Sequence, residues 1–514
     1  MGKYVLAIDC GTQSLRGLIF DKNGNLLVKV KKEFNPYYSV EPGWAEQDPN
    51  VYWNSLCEVC RQIKEDEEEI FSEIDRVVVT TQRDSCVLLG KNGEIIRPAI
   101  LWMDQRKIKK ARNMNLYNKL TITAVGMMNT AKNFSLNCNA HWIQDYEPEN
   151  WKKTHKYLQI SGFLNYKLTH EFKDSIASQI GHIPFNYKHF RWESKYGQKS
   201  QIFHIEREKL CDLVAPSGII GYVVDEACSE TGLKKGIPVV AGGSDKGCET
   251  LGVGCFDNYT ASISLGSNAS IQTTSKKYYE ALRFICPFPA VIPKAYNPEI
   301  QIYRGYWMIS WFKKEFAQKE VAQAKELNIA PEELLNRRLN DIPPGCDGLV
   351  FQPYWGAGAK RPEGKGAIIG FDDYHTRIHI YRAIIEGIGF GLYEGLQYIQ
   401  KKSKMNIEKI MVSGGGSQSD AICQITADLF NKPVYRVQTY ETSGLGAAIV
   451  GYVSKGEYKT FGEAVKNMVH MKDEFLPDSE NVKTYSRIYK DIYCRVYNKL
   501  KPLYKEMQND NADN

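Results

Sequence analysis

Apolar positions in this chain fall into short β-type runs and longer helical periods, and their order suggests an architecture. Residues 4–9 form an apolar run that predicts a buried strand, with residues 15–21 as its return and Asn23-Gly24 as a tight turn after it. Asp48 followed by Pro49 marks a helix start, a capping side chain and a first-turn proline, and the amphipathic pattern behind it runs to near Ile70. Strands follow over residues 76–81 and 86–89, with Asn92-Gly93 as a second turn. From about Lys107 to Gly236 the chain is rich in aromatics, and only helices around Trp142 and over residues 163–168 can be read from it.

Past Pro238 the sequence turns apolar and glycine-rich, and after Gly254 it restarts with a strand pair at residues 261–265 and 269–273. A helix over residues 377–401 carries Ile384, Ile388, Leu392, Leu396 and Ile399 on one face, and a strand at residues 409–412 follows it. Helices at residues 420–429 and 444–453 then flank a short strand at residues 434–437, which is an α/β pattern. Both halves open with strand, glycine-containing turn, strand. A length of 514 residues exceeds what one hydrophobic core supports, so the expected division is residues 1–254 and 255–514.

Composition adds mainly exclusions. Charged residues at 25% and apolar ones at 43% fit a globular enzyme and not a disordered or collagen-like chain. The net charge of +6, from 66 basic and 60 acidic residues, is spread along the chain and calls for no nucleic acid partner. The run KEDEEE from Lys64 to Glu69 sits in a helical pattern and reads as a solvated face. Thirteen scattered cysteines suggest reduced thiols and a cytoplasmic setting. The one CxxC, Cys57 and Cys60, lacks the second pair of a zinc site and reads as helix packing. No stretch approaches the length of a membrane span, and the N-terminus shows no cleaved leader, so no membrane partner is expected.

Five segments carry candidate chemistry. DCGTQSLRG, Asp9 to Gly17, falls in the turn between two strands, where Gly11, Thr12, Gln13 and Ser14 offer backbone and hydroxyl donors to an anion. Arg16 adds charge there, and Asp9 suits magnesium held through water. LGSNAS, with Gly266 and Ser267, is the corresponding turn of the second half. SGGGSQSD, with Gly414, Gly415, Gly416 and Ser417, follows a strand and opens a helix, so a flat ligand can lie on bare backbone. It has neither the GK[ST] ending of a Walker A loop nor the GxGxxG of a dinucleotide fold. GGSDKG places Asp245 among small residues at the junction of the halves, as a base for an attacking hydroxyl and a second carboxylate for magnesium. TTQRDS and WMDQR place Arg83 and Asp84 side by side for vicinal hydroxyls and Trp102 for the apolar face of a polyol. Taken singly, each segment also has a plain structural explanation: a polar hairpin, a glycine turn, a helix cap, a surface ion pair, a core tryptophan.

Together the five segments resemble the FGGY family of carbohydrate kinases, over nearly the whole chain from Asp9 to about Gly456. The resemblance implies two actin-like, ribonuclease-H-like domains, the N-terminal one for sugar and the C-terminal one for nucleotide, with an active-site cleft between them. It also implies ATP and Mg2+, phosphates on the Asp9 to Arg16 loop and Gly266-Ser267, adenosine on Gly414 to Ser417, and Asp245 as base in an in-line transfer to a small sugar or polyol. Dimers are common in such a family, so a homodimer is allowed for, although no interface is read in the residues. Gln82-Arg83-Asp84 is similar to the Gln-Arg-Glu of glycerol kinases, and WAEQDP to their Trp-Val-Glu-His-Asp-Pro. Three departures stand out: Asp84 is a methylene shorter than Glu, Lys246 replaces the usual Gln or Asn, and Asn139 stands where a Lys is expected before Trp142. Lys246 either acts on the base or a charged substrate group, or points to solvent. Two alternatives use the same fold: an actin- or chaperone-like ATP-driven protein, and a silent ATP-binding regulator.

Overall fold

The computed structural model describes residues 2–355, 360–361 and 363–509. Two mixed six-stranded sheets organise it. The first holds β1 (Tyr4–Cys10), β2 (Ser14–Phe20), β3 (Leu26–Glu33), β4 (Ile74–Thr81), β5 (Ile219–Tyr222) and β6 (Pro238–Ser244), in the order β3-β2-β1-β4-β6-β5. The second holds β7 (Thr260–Leu265), β8 (Ala269–Thr273), β9 (Glu299–Ile302), β10 (Lys409–Ser413), β11 (Val434–Val437) and β12 (Met471–Phe475), in the order β9-β8-β7-β10-β11-β12. In both, the opening three strands form an antiparallel meander, the next two run parallel to the first, and an antiparallel strand closes the edge. The echo between the halves is therefore a repeated topology. The central strands are covered on both faces, which is why their sequences run as continuous apolar stretches.

The sequence-derived elements hold, with two adjustments. Helix α1 (Pro49–Asp66) starts where Asp48 accepts the Asn50 N–H, and it buries Cys57 and Cys60 as free thiols. It stops at Asp66 instead of continuing to Ile70, because Glu67 leaves helical geometry (φ −143°) and a separate short helix, Glu68–Ser72, follows. Five carboxylates in six residues repel one another at helical spacing, which favours a break there. The aromatic stretch resolves into helices Leu116–Ala124, Met128–Leu136, Asn139–Tyr146 and Pro148–Lys153, each too short to display a clear period. Helix α2 (Ile160–Thr169) then packs beneath the first sheet.

Between the sheets lie α3 (Asp245–Gly252) and α6 (Thr442–Lys455), separated in sequence by α4 (Arg377–Ser403) and α5 (Asp420–Phe430). Each half covers a face of the other's sheet. Leu445, Ala447, Ile449 and Val450 of α6 pack on Val5, Leu18, Val78 and Val240 of the first sheet. From α3, Glu249 accepts hydroxyl hydrogen bonds from Ser264 and Ser413, and Thr250 donates to Gln272, all on the second sheet. The two helices cross with backbone against backbone. A Cβ on Gly446 would stand 1.9 Å from the Cys248 carbonyl oxygen, and one on Gly252 would stand 1.9 Å from that of Thr442. Among the described residues no helix is long and apolar enough to cross a membrane.

Gly446→Ala should therefore lower the thermal midpoint, with an overpacking penalty of about 1–3 kcal/mol. Gly415→Ala, where an added Cβ meets nothing within 4 Å, should leave it unchanged. Melting both variants beside the parent by circular dichroism checks this.

Candidate active site

The cleft is built from the ends of β1, β4, β6, β7 and β10, and the local folding of each end decides what it presents. At the end of β1 the Gly11 N–H closes a hairpin on the Ser14 carbonyl at 3.0 Å, and the antiparallel register sets Arg16 opposite Asp9. Arg16 Nη1 lies 3.0 Å from Asp9 Oδ2, and its Nε lies 3.6 Å from Glu441 Oε2, beside the start of α6. Asp9 is buried, and burial pushes its carboxyl up to about 6; Arg16 opposes this, while Asp245 and Glu441 add repulsion. Gln13 is exposed at the tip, whereas Ser14 is buried as the first residue of β2. Among the described residues the N–H groups of Thr12 and Gln13 find no acceptor.

The Thr12 hydroxyl donates to Gln82 Oε1 at 3.1 Å and accepts from the half-exposed Trp102 indole N–H at 3.1 Å, which ties the loop to the strip at the end of β4. Arg83 and Asp84 then separate. Arg83 Nε donates to the Ser244 hydroxyl at 3.1 Å and Nη1 to Glu299 Oε2 at 2.6 Å, with the guanidinium 4.9 Å from the centre of the Phe288 ring. Asp84, at φ 54°, accepts the His182 N–H at 2.9 Å and the His182 Nδ1–H at 2.7 Å. The expected side-by-side pair is thus replaced by two partnerships, because the left-handed backbone at Asp84 turns successive side chains apart. Burial alone would lower the His182 pKa, but the Asp84 carboxylate outweighs it and holds the imidazole above its ordinary value.

Asp245 opens α3, with Ser244 as its cap accepting the Gly247 N–H at 3.2 Å. Its Oδ1 accepts the Lys246 N–H at 2.7 Å. Burial raises the Asp245 carboxyl, and the charges of Arg83 and Lys246 offset only part of that. Lys246 does not point to solvent: its Nζ lies 2.8 Å from Glu249 Oε2 and donates to the Ser264 hydroxyl.

At the second half's turn, the carbonyl of Gly266 accepts the Tyr306 N–H at 3.0 Å and that of Ser267 accepts the Trp307 N–H at 3.3 Å. The N–H groups of Ser267 and Asn268 find no acceptor among the described residues. Beside this turn sits Gly414, at φ 81°, where a Cβ would stand 3.0 Å from the Gly266 nitrogen; only glycine fits. Gly415 is exposed, Gly416 packs on the Tyr306 ring, and the buried Ser417 donates its hydroxyl to the Gly414 carbonyl at 2.7 Å. Ser417 holds the turn from inside instead of facing the cleft. No group of three or more His, Cys, Asp or Glu side chains able to hold a metal occurs among the described residues.

Sequence reading missed Glu249, Glu299, Glu441 and His182; the last three meet their partners only across elements, and Glu249 meets Lys246 within α3 but Ser264 and Ser413 across to the second sheet. The one local hint was charge inside otherwise apolar or small-residue runs, as at Glu249.

Comparison with known proteins gives the family. The N-terminal domain of the FGGY family of carbohydrate kinases matches residues 4–252 and the C-terminal domain matches residues 261–454. The chain is 30% identical over 496 residues to a protein of Escherichia coli (strain K12) named as an uncharacterized sugar kinase, YgcE, covering 96% of this chain and 92% of that one. It is 26% identical to a gluconokinase of Bacillus subtilis (strain 168), covering 99% and 98%. In three dimensions it is similar to xylulose kinase from Rhodospirillum rubrum, with a TM-score of 0.83 at 22% identity, covering 98% and 100%. The chain belongs to the FGGY family of carbohydrate kinases, phosphotransferases with an alcohol group as acceptor.

Proposed function

We propose that this kinase moves the terminal phosphoryl group of ATP to a hydroxyl of a small sugar or polyol, with Asp245 as the general base. The observation that carries this is the convergence of the buried Asp9, the half-buried Asp245 and the two acceptor-free turns at the boundary of the two sheets. In this reading residues 1–254 carry the sugar and residues 255–514 the nucleotide. Asp245 takes the hydroxyl proton: burial raises its basicity above that of an exposed carboxylate, and the charges of Arg83 and Lys246 oppose part of that rise. The free N–H groups of Thr12, Gln13, Ser267 and Asn268, with Arg16, receive phosphate oxygens from both sides. Gly414 to Gly416 form the bare backbone on which adenosine rests. Trp102 and the Arg83 and Asp84 partnerships shape the sugar side, and His182 joins them.

A magnesium ion fits the donor set through Asp9 and Asp245, two mutually repelling carboxylates raised by burial, since this ion needs only one or two carboxylates beside phosphate oxygens and water. When bound it would neutralise phosphate charge. The free thiols suit a cytoplasmic setting, which belongs to the same proposal.

Asp245→Asn should lower sugar-dependent ADP release by about 10²–10⁴-fold across a panel of polyols, pentuloses, hexuloses and sugar acids. Equal, sugar-independent turnover in parent and variant would favour an ATP-driven conformational role. Because Asp9 must be ionised, kcat/KM should fall below about pH 6 instead of near the carboxylate norm of 3.8; a pH profile checks this.

The same shift has a stability sign. Between pH 3.8 and about 6 the folded state keeps a proton on Asp9 that the unfolded chain has lost, so Asp9 destabilises increasingly as pH rises through that window. Asp9→Asn should abolish turnover yet raise the unfolding free energy of the ligand-free protein at pH 7.5 by up to ~3 kcal/mol, seen as a higher melting midpoint. Differential scanning calorimetry of the two proteins measures it.

A further inference from the structure

We propose that the Lys246 ammonium is a ligand for the terminal phosphate of the nucleotide, and that Glu249 holds it ready when that phosphate is absent; this rests on the kinase reading above. The side chain leaves α3 one residue after the proposed base and runs toward the second sheet. It does not turn toward Arg83, Asp84 and Trp102, which sit at the ends of strands from the first half. Its Nζ is 2.8 Å from Glu249 Oε2, bonds the Ser264 hydroxyl, and lies 4.0 Å from where a Cβ on Gly266 would stand. Gly266 has no side chain, so the charge faces the turn directly. That turn also carries the Ser267 and Asn268 N–H groups, which find no acceptor among the described residues, so two neutral donors and one cation belong to the same corner of the fold.

Glu249 keeps part of its hydrogen bonding if the lysine moves. It accepts the Ser264 hydroxyl at 2.9 Å and the Ser413 hydroxyl at 2.7 Å in addition to Lys246, and these remain when the ammonium moves. Both hydroxyls serve Oε1, so the move leaves Oε2 without a donor among the described residues, a cost that the ammonium–phosphate contact must exceed. Phosphoryl transfer spreads charge over the equatorial oxygens of the moving group, and a lysine there acts as a mobile point charge.

The test uses the full-length protein and Lys246→Met, with Lys246→Arg as the charge-preserving partner. Calorimetry would compare ADP with a non-hydrolysable β,γ-imido analogue of ATP, and steady-state kinetics would give kcat and the sugar KM. For Lys246→Met the analogue's Kd should rise about 10–100-fold while that of ADP stays within about twofold. In the same variant kcat should fall by about 10²-fold with the sugar KM unchanged, and Lys246→Arg should recover part of both losses. Retained ADP binding shows that the variant is folded. Equal loss of both nucleotides would make Lys246 a structural prop, and a raised sugar KM with unchanged analogue binding would place it on the substrate; either result overturns the proposal. A parent protein that binds the analogue but phosphorylates no sugar would sink the kinase reading while leaving the nucleotide comparison decisive for Lys246.

Discussion

The contact between α3 and α6 is the constraint on which the rest of the molecule depends. Both helices are held between the two sheets, each anchored to the sheet of the opposite half, and they touch through bare backbone at Gly252 and Gly446. Any side chain at those points would push the sheets apart. Because α3 begins with Asp245 and α6 follows directly on Glu441, this crossing also fixes how far the proposed base stands from Asp9 and Arg16. Packing deep in the molecule therefore sets the geometry of the chemistry.

Charge is handled in the same concentrated way. Asp9, Asp245, Glu249, Glu299 and Glu441 crowd the junction, and four of them are ion-paired: Asp9 with Arg16, Glu441 with Arg16 and Lys29, Glu249 with Lys246 and Glu299 with Arg83, while Asp245 accepts the Lys246 backbone N–H. Burial still wins at Asp9 and Asp245, whose carboxyls stay raised. Four cations thus face five carboxylates in these pairs, and Asp245 is the carboxylate left without an ion-pair partner among the described residues.

Much of this was legible in the sequence. The hairpins at residues 4–20 and 260–273, the capped start of α1 at Asp48 and the α/β alternation after Arg377 follow from local periodicity and turn chemistry, which act over a few residues. Three successive glycines could be read as a bare-backbone turn. What could not be read are pairings set by distance along the chain: Arg83 with Glu299, Asp84 with His182, Glu441 with Arg16 and Lys29. Adjacent letters suggested that Arg83 and Asp84 would cooperate, and only the backbone angle at Asp84, supplied by tertiary packing, sends them apart. Ser417 shows the same limit, since its spacing fits a ligand contact while its hydroxyl is spent inside the turn.

The bond from Arg83 to Glu299 has a mechanical meaning. Arg83 follows a strand of the first sheet and Glu299 opens the edge strand of the second, so the ion pair spans the gap at one lip of the cleft. The carboxylate is only 2% exposed, and stripping a partner from a charge buried to that degree typically costs about 3–5 kcal/mol. Parting the lips at this point requires water to enter as the arginine leaves. The ion pair therefore favours the close approach of these two strand ends over their separation.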